Sequence, residues 1–244
     1  MRTSQQEKTV TIKIHDHEQG TPEWYAARCG ILTASEMKHI LTPKFTLADN
    51  EKTRMHVWEL LSQRITGFVE PTFCGFDMQR GKEDEVIARD LYSATYAPVV
   101  EAGFITNDKW GFTIGCSPDG LVGKNGGVEF KSRKQKYQIQ TIVENVANDT
   151  IPAEFMLQVQ TCLLVTERKW WEFGSFSGGL HMPIVRVFPD EAIQEAIVKA
   201  ATLFEEKVEA FRAQYDAVMA SDARLIPTER REYSDGDDIV ADPE

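Results

Sequence analysis

The sequence predicts a mixed α/β fold, with a central mixed sheet flanked by helices. Three observations predict it. Helical periodicity occupies the first hundred residues; short β-branched, glycine-punctuated runs follow between Val99 and Lys131; and helix, strands and a long helix then alternate to about Ser221.

The elements can be justified in order. Residues 1–20 are polar and mixed, which suits a strand-like arm or a loose end. Thr21-Pro22-Glu23 opens a helix, with Thr21 as cap and proline at the first helical position, and this helix stops at Gly30. Thr33-Ala34-Ser35-Glu36 has capping-box spacing and opens another. A third covers about Glu51 to Ile65, with Val57, Leu60, Leu61 and Ile65 on one face. A fourth covers Gly81 to Ala97, with Val86, Ala88, Leu91 and Tyr92 as its apolar side and Pro98 as its stop. Strands are expected at Val99 to Ile105, Gly111 to Cys116 and Gly127 to Lys131, joined by turns such as Asp119-Gly120 and Asn125-Gly126. A helix at Ala153 to Val165, strands at Lys169 to Phe176 and Pro183 to Phe188, and an amphipathic helix from Asp190 complete the pattern. Residues 1–226 read as one domain and 227–244 as an acidic, disordered tail.

The chain has 244 residues and a net charge of −11, which by itself argues mildly against a nucleic-acid ligand. But Glu229, Glu232, Asp235, Asp237, Asp238, Asp242 and Glu244 face only Arg230 and Arg231, so the tail carries nearly half of the excess. Cys29, Cys74, Cys116 and Cys162 stand far apart in no zinc spacing and read as reduced structural thiols. No signal peptide and no apolar run of membrane-spanning length is present, which places the protein in a cytoplasm with no membrane partner.

One constellation carries chemistry. In a strand over Gly127 to Lys131, side chains alternate: Val128 and Phe130 face the core, and Glu129 and Lys131 project together from the other face. Asp119, in Ser117-Pro118-Asp119-Gly120, lies just past the strand Gly111 to Cys116; a hairpin between the two strands brings it near Glu129. Two carboxylates hold a hard cation, the cation activates water and offsets phosphate charge, and a lysine positions or deprotonates the water or stabilises the transition state. Three other E-x-K triplets, at Glu36, Glu167 and Glu205, show that the triplet alone means little; only this one joins a Pro-Asp turn to a strand. Spacing alone leaves a solvated hairpin face equally open.

Pro118-Asp119…Glu129-Phe130-Lys131 resembles the signature of the PD-(D/E)xK nuclease superfamily. Trp24-Tyr25-x-x-Arg28-x-Gly30-Ile31-x-Thr33-Ala34-Ser35-Glu36, Gly81-Lys82-x-x-Glu85, Gly115-Cys116-Ser117-Pro118-Asp119-Gly120-Leu121 and Gln158-Val159-Gln160 resemble, in order, the motifs of the lambda-type (YqaJ-like) alkaline exonucleases of phage recombination. The resemblance implies the restriction-endonuclease-like core. It implies a 5′→3′ exonuclease that degrades linear duplex DNA to mononucleotides and leaves a 3′ single-stranded tail. Mg²⁺ is implied, with Mn²⁺ as a substitute, held by Asp119, Glu129 and the backbone carbonyl of Phe130, with Glu85 beside it. Lys131 would align the water and Gln158 support the site. Arg28, Thr33 and Ser35 would hold the terminal 5′-phosphate, and Met78 would be a wedge at the terminal base pair. A ring-shaped homotrimer on double-stranded DNA ends and a single-strand annealing partner are implied as well.

Plainer roles stand beside these. Arg28 can pack on the Trp24 indole, Thr33 and Ser35 can be helix caps, and Glu85 can pair with Arg89. Gln158 and Gln160 cannot both face the metal. Trp170-Trp171 reads as strand packing, and Lys131 to Lys136 as a solvated loop or a contact to DNA backbone. A restriction- or repair-type endonuclease and a catalytically inactive DNA-binding subunit are the alternative functions.

Overall fold

A computed structural model describes residues 12–70 and 75–230. The expected arm before residue 12, the tail beyond Arg230 and Cys74 lie outside the described residues.

Thr21 accepts a hydrogen bond from the Trp24 backbone and starts α1 (Pro22–Arg28) as the sequence dictates. Gly30 follows at φ +69°, and a Cβ there would stand 2.6 Å from Cγ of Arg64. The close approach lets Arg64 donate to the Gly30 carbonyl at 2.8 Å while its two terminal nitrogens grip Glu205 at 2.7 and 2.8 Å. After β2 (Leu32–Thr33), the predicted capping-box helix is a 3₁₀ turn over Ala34–His39. It is only six residues long, and the Glu36 carboxylate is folded back on the Thr33 amide (2.9 Å) and hydroxyl (2.6 Å). α2 (Glu51–Thr66) is capped by Asn50 and ended by Gly67 in the left-handed region.

α3 runs Phe76–Thr95, five residues earlier than expected, with Gly75 as its cap position. Its apolar side also differs from the expectation. Ala88 and Tyr92 are buried, whereas Val86 and Leu91 are each 48% exposed. The helix touches the protein through the narrow stripe that packs on Val128 and Phe130, so flanking apolar residues stay outside it.

The sheet expected as one is two four-stranded sheets, both mixed. In the first, β1 (Ile12–His15), β3 (Phe104–Asn107) and β4 (Ile114–Cys116) pair antiparallel, and β2 runs parallel to β4. In the second, β5 (Gly120–Val122) and β6 (Gly126–Ser132) form a hairpin, β6 runs parallel to β7 (Trp170–Phe176), and β8 (Ile184–Val187) is antiparallel to β7. The hairpin partner of β6 is therefore β5 and not the strand Ile114–Cys116, which belongs to the first sheet. Gly120 is in β5, so Asp119-Gly120 is the approach to a strand rather than a turn.

Parallel β6 and β7 require a crossover. It contains α4 (Gln135–Gln140), a π turn over Thr141–Asn145, a 3₁₀ turn over Val146–Asn148, and α5 (Ala153–Thr166). The segment from Gln135 to Asn148 was not legible as helix because it buries little beyond Gln138 and Thr141 and so has no apolar stripe. α5 is buried nearly all round; one core joins Ile105, Ile114 and Cys116 of the first sheet to Trp171, Phe173 and Val185 of the second through Leu157, Val159 and Leu163. α6 (Glu191–Met219) closes the core with Ile193, Ile197, Phe204 and Val208.

Candidate active site

The hairpin register pairs Gly120 with Val128, so Asp119 stands beside the stretch of β6 that continues past the hairpin. There the Asp119 carboxylate accepts from the Phe130 backbone N–H at 2.5 Å. The N–H and C=O of one strand residue point to the same side, so the Phe130 carbonyl is aimed toward Asp119 as well. Glu129 and Lys131 share the opposite face from Phe130, as alternation requires. Glu129 is 1% exposed, and one of its oxygens, Oε1, takes both the Lys131 ammonium (2.5 Å) and the Gln158 side-chain amide (2.5 Å). Its other oxygen, Oε2, is buried with no hydrogen-bond partner.

Glu85 reaches this group from the third turn of α3, close enough to accept a hydrogen bond from the Asp119 carboxyl when that is protonated. The expected Glu85–Arg89 pair does not form as a contact. Arg89 instead pairs with Glu101 at 2.7 Å and donates to the Asp119 backbone carbonyl at 3.3 Å. Of the two glutamines, Gln158 points at Glu129, and Gln160 bonds the Phe188 carbonyl (2.8 Å) and the Asp190 amide (3.0 Å) on the far side.

Three acids so close raise one another's proton affinity. Burial and then the Glu85 charge push Asp119 up to about 7; burial and then the Asp119 charge push Glu129 up to about 7. Burial and Glu129 raise Glu85. Burial opposes ionisation of Lys131, but Glu129 and Asp119 outweigh it and hold the ammonium charged, above the usual lysine range.

Does this group fit a metal? Among the described residues no three His, Cys, Asp or Glu side chains close a cage by themselves. Mg²⁺ does not need one, because it keeps several waters and takes one or two carboxylates. Asp119, Glu129 and the Phe130 carbonyl are hard oxygen donors, and the orphaned Glu129 Oε2 lacks a partner that a cation would supply. The residues fit.

A second cluster adjoins the first through the same loop. Arg28, at the end of α1, donates to the Ser117 hydroxyl at 2.9 Å and reaches the Thr33 hydroxyl at 3.5 Å; Ser35 lies 3.3 Å from Thr33 and is exposed. The guanidinium also lies 4.3 Å from the Trp24 ring, so cation–indole packing and the polar cluster coexist. Burial lowers its pKa, and Glu36 partly restores it. Met78 is 51% exposed on the first turn of α3, about 10 Å along the axis from Glu85. Sequence reasoning placed Ser117 in the Asp119 loop without a role of its own, and gave Arg89 only as a partner for Glu85; the actual partners of Arg89 lie 12 and 30 positions away and left no local signal.

Residues 23–169 match the model of the YqaJ-like viral recombinase domain, a span of more than half the chain. The chain belongs to the YqaJ-like family. The alkaline exonuclease LHK-Exo of Laribacter hongkongensis is similar throughout, with 30% identity and a TM-score of 0.72 over 82% of this chain and 98% of that one. The structure of LHK-Exo in complex with dAMP gives 31% identity and a TM-score of 0.71 over the same shares. No curated protein matches. This YqaJ-like chain is a deoxyribonuclease of the alkaline exonuclease type on a restriction-endonuclease-like core. Such nucleases depend on metal, and the matched span holds Asp119, Glu129, Lys131, Gln158 and the Arg28 cluster.

Proposed function

We propose that the chain is a Mg²⁺-dependent 5′→3′ exonuclease that degrades linear double-stranded DNA to mononucleotides and leaves a 3′ single-stranded tail for strand annealing, with Mn²⁺ as a substitute ion. The observation that carries this reading is the shared loop. Ser117 belongs to the Arg28 cluster and Asp119 to the carboxylate cluster, separated by about 7 Å of extended chain. That is the scale of one nucleotide step. A terminal 5′-phosphate held by Arg28, Ser35 and Thr33 leaves the next phosphate at Asp119 and Glu129. The dAMP complex of LHK-Exo supports a mononucleotide product.

A bound Mg²⁺ supplies charge neutralisation and an acidified water. The side chains do the rest. Asp119 and Glu129, with the Phe130 carbonyl, present the oxygen donors; Gln158 fixes Glu129 by holding Oε1; Glu85 shares the Asp119 side of the group. With no ion bound, the Glu129 and Asp119 charges favour the Lys131 ammonium, which suits a donor that aligns the attacking water and offsets phosphate charge. Water adds to phosphorus, the bond to the 3′-oxygen of the terminal nucleotide breaks, and that oxygen takes up a proton. The new end carries a 5′-phosphate, ready for the next cycle. Met78 is the wedge at the terminal pair. The same reading takes residues 1–226 as the nuclease domain, a homotrimeric ring as the working form, a single-strand annealing protein as partner and a cytoplasm as the location. No helix among the described residues is long and apolar enough to cross a membrane.

End-labelled linear duplexes with and without a 5′-phosphate, in Mg²⁺ and then in chelator, test this directly. Metal-dependent release of mononucleotides from phosphorylated 5′ ends, with closed circular duplex left intact, is expected. Cutting of the closed circle would instead identify an endonuclease.

A further inference from the structure

Beyond the carboxylates, the crossover from β6 to β7 borders an open cavity of about 640 Å³ lined by Arg133, Tyr137, Gln140, Asn145 and Glu154, among others. It adjoins the candidate active site, because Phe155 lies between the two: the Lys131 ammonium is 5.9 Å from that ring and the Arg133 guanidinium 5.1 Å. Four features of the cavity converge. The Arg133 guanidinium is sandwiched by aromatic rings, with Tyr137 5.2 Å away. Its Nε is buried without a hydrogen-bond partner, and its terminal nitrogen is held by the Glu154 carboxylate at 2.5 Å. The first turn of the fourteen-residue α5 opens onto the cavity at Ala153 and Glu154, and Pro152 provides no side-chain cap for its amides. The wall is a π turn, Thr141–Asn145, of the kind that recurs where a helix is bent to serve a site.

Each feature answers to a part of a nucleotide. A half-exposed tyrosine offers a stacking face to a base. The side-chain amides of Gln140 and Asn145 can donate and accept at base edges. A stacked guanidinium beside an uncapped helix start suits a phosphate, whose oxygen would replace the Glu154 carboxylate on Arg133. The volume falls in the range of small-ligand sites.

We propose that this cavity is a nucleotide subsite, with the base on Tyr137 and the phosphate on Arg133 and the start of α5, lying next to the scissile position on the far side of Phe155. It rests on the reading of the chain as a DNA exonuclease, and its ligand is a nucleotide unit of a single strand or of the released product.

The test is fluorescence anisotropy of a labelled oligothymidylate in chelator, where nothing is cut, with isothermal titration of thymidine 5′-monophosphate as a second arm. Tyr137→Ala is expected to weaken at least one ligand about ten-fold and Tyr137→Phe to retain wild-type affinity. Replacing Arg133 with methionine, which keeps much of the side-chain bulk, should weaken the same ligand. An effect on the oligonucleotide assigns the subsite to the strand; an effect on the monophosphate alone assigns it to product release. Unchanged affinity of both ligands in Tyr137→Ala, or equal loss in Tyr137→Phe, overturns the subsite. Digestion of linear duplex by the wild-type chain in Mg²⁺ is measured in parallel, so that failure of the exonuclease reading is seen separately.

Discussion

The two polar clusters joined by the Ser117-Pro118-Asp119 loop are built in opposite ways. Around Arg28 each hydroxyl has a partner, the cation rests on an indole, and Glu36 pins Thr33 from behind. Around Asp119 three acids face one lysine, and a buried oxygen of Glu129 has nothing to bind. The first cluster is complete without a ligand and can only exchange partners. The second is short of positive charge. On the proposed function, the difference separates the cluster that an ion would complete from the one that would select the substrate end.

The largest effect that sharpens this contrast is on catalysis. Asp119→Asn, Glu129→Gln and Lys131→Ala should each lower hydrolysis of linear duplex by about a thousand-fold or more, as removal of groups acting at the transition state does. Their stabilities should separate them. Asp119→Asn and Glu129→Gln relieve repulsion and should melt higher than wild type in chelator at pH 8. Lys131→Ala leaves Glu129 buried and uncompensated and should lose about 2–3 kcal/mol in denaturant titration. Identical melting behaviour in all three would break the comparison.

Next in size, Arg28→Ala should slow digestion of 5′-phosphorylated ends by about 10–100-fold, the loss of one or two charge-assisted hydrogen bonds, and leave 5′-hydroxyl ends nearly unaffected. Equal slowing on both ends would make Arg28 a packing residue on Trp24.

Smaller still is the pair of glutamines. Gln158→Ala should weaken Mg²⁺ binding about ten-fold with little change in stability, since it removes a group that orients a metal ligand. Gln160→Ala should cost about 1–2 kcal/mol of stability and leave metal binding alone, because it unties the Phe188 carbonyl and the start of α6.

This last pair also shows what sequence could and could not tell. Helical spacing established that the two glutamines diverge, but not which one faces the acids; that depends on where α5 sits against β6, a matter of packing among residues far apart in the chain. Strand alternation put Glu129 and Lys131 together, and Thr21-Pro22 started α1 where local chemistry says it should. Asp119 was brought near Glu129 by the wrong hairpin: β4 and β5 are three residues each and only three residues apart, and nothing local shows that the chain leaves the first sheet for the second between them. The real burial of α3 was illegible for a similar reason, since Val86 and Leu91 look apolar whether or not anything covers them.

A separate handle on the carboxylate cluster is the pH dependence. Carboxyls whose folded-state pKa is raised keep protons that the unfolded chain has released, so in chelator stability should fall as pH rises from about 4 through about 7. Mg²⁺ should reverse that slope by competing with the protons. Activity should then rise with pH through the same window, and higher Mg²⁺ should move the rise to lower pH. An activity profile whose midpoint ignores Mg²⁺ concentration would separate the titration from the metal.

The central claim is that Asp119 and Glu129 form an ion site, and calorimetric titration of Mn²⁺ into the wild-type, Asp119→Asn and Glu129→Gln chains at pH 8 tests it most directly. The account predicts saturable binding in the wild type that both substitutions abolish while the chains remain folded. Binding of unchanged affinity in both variants would contradict it.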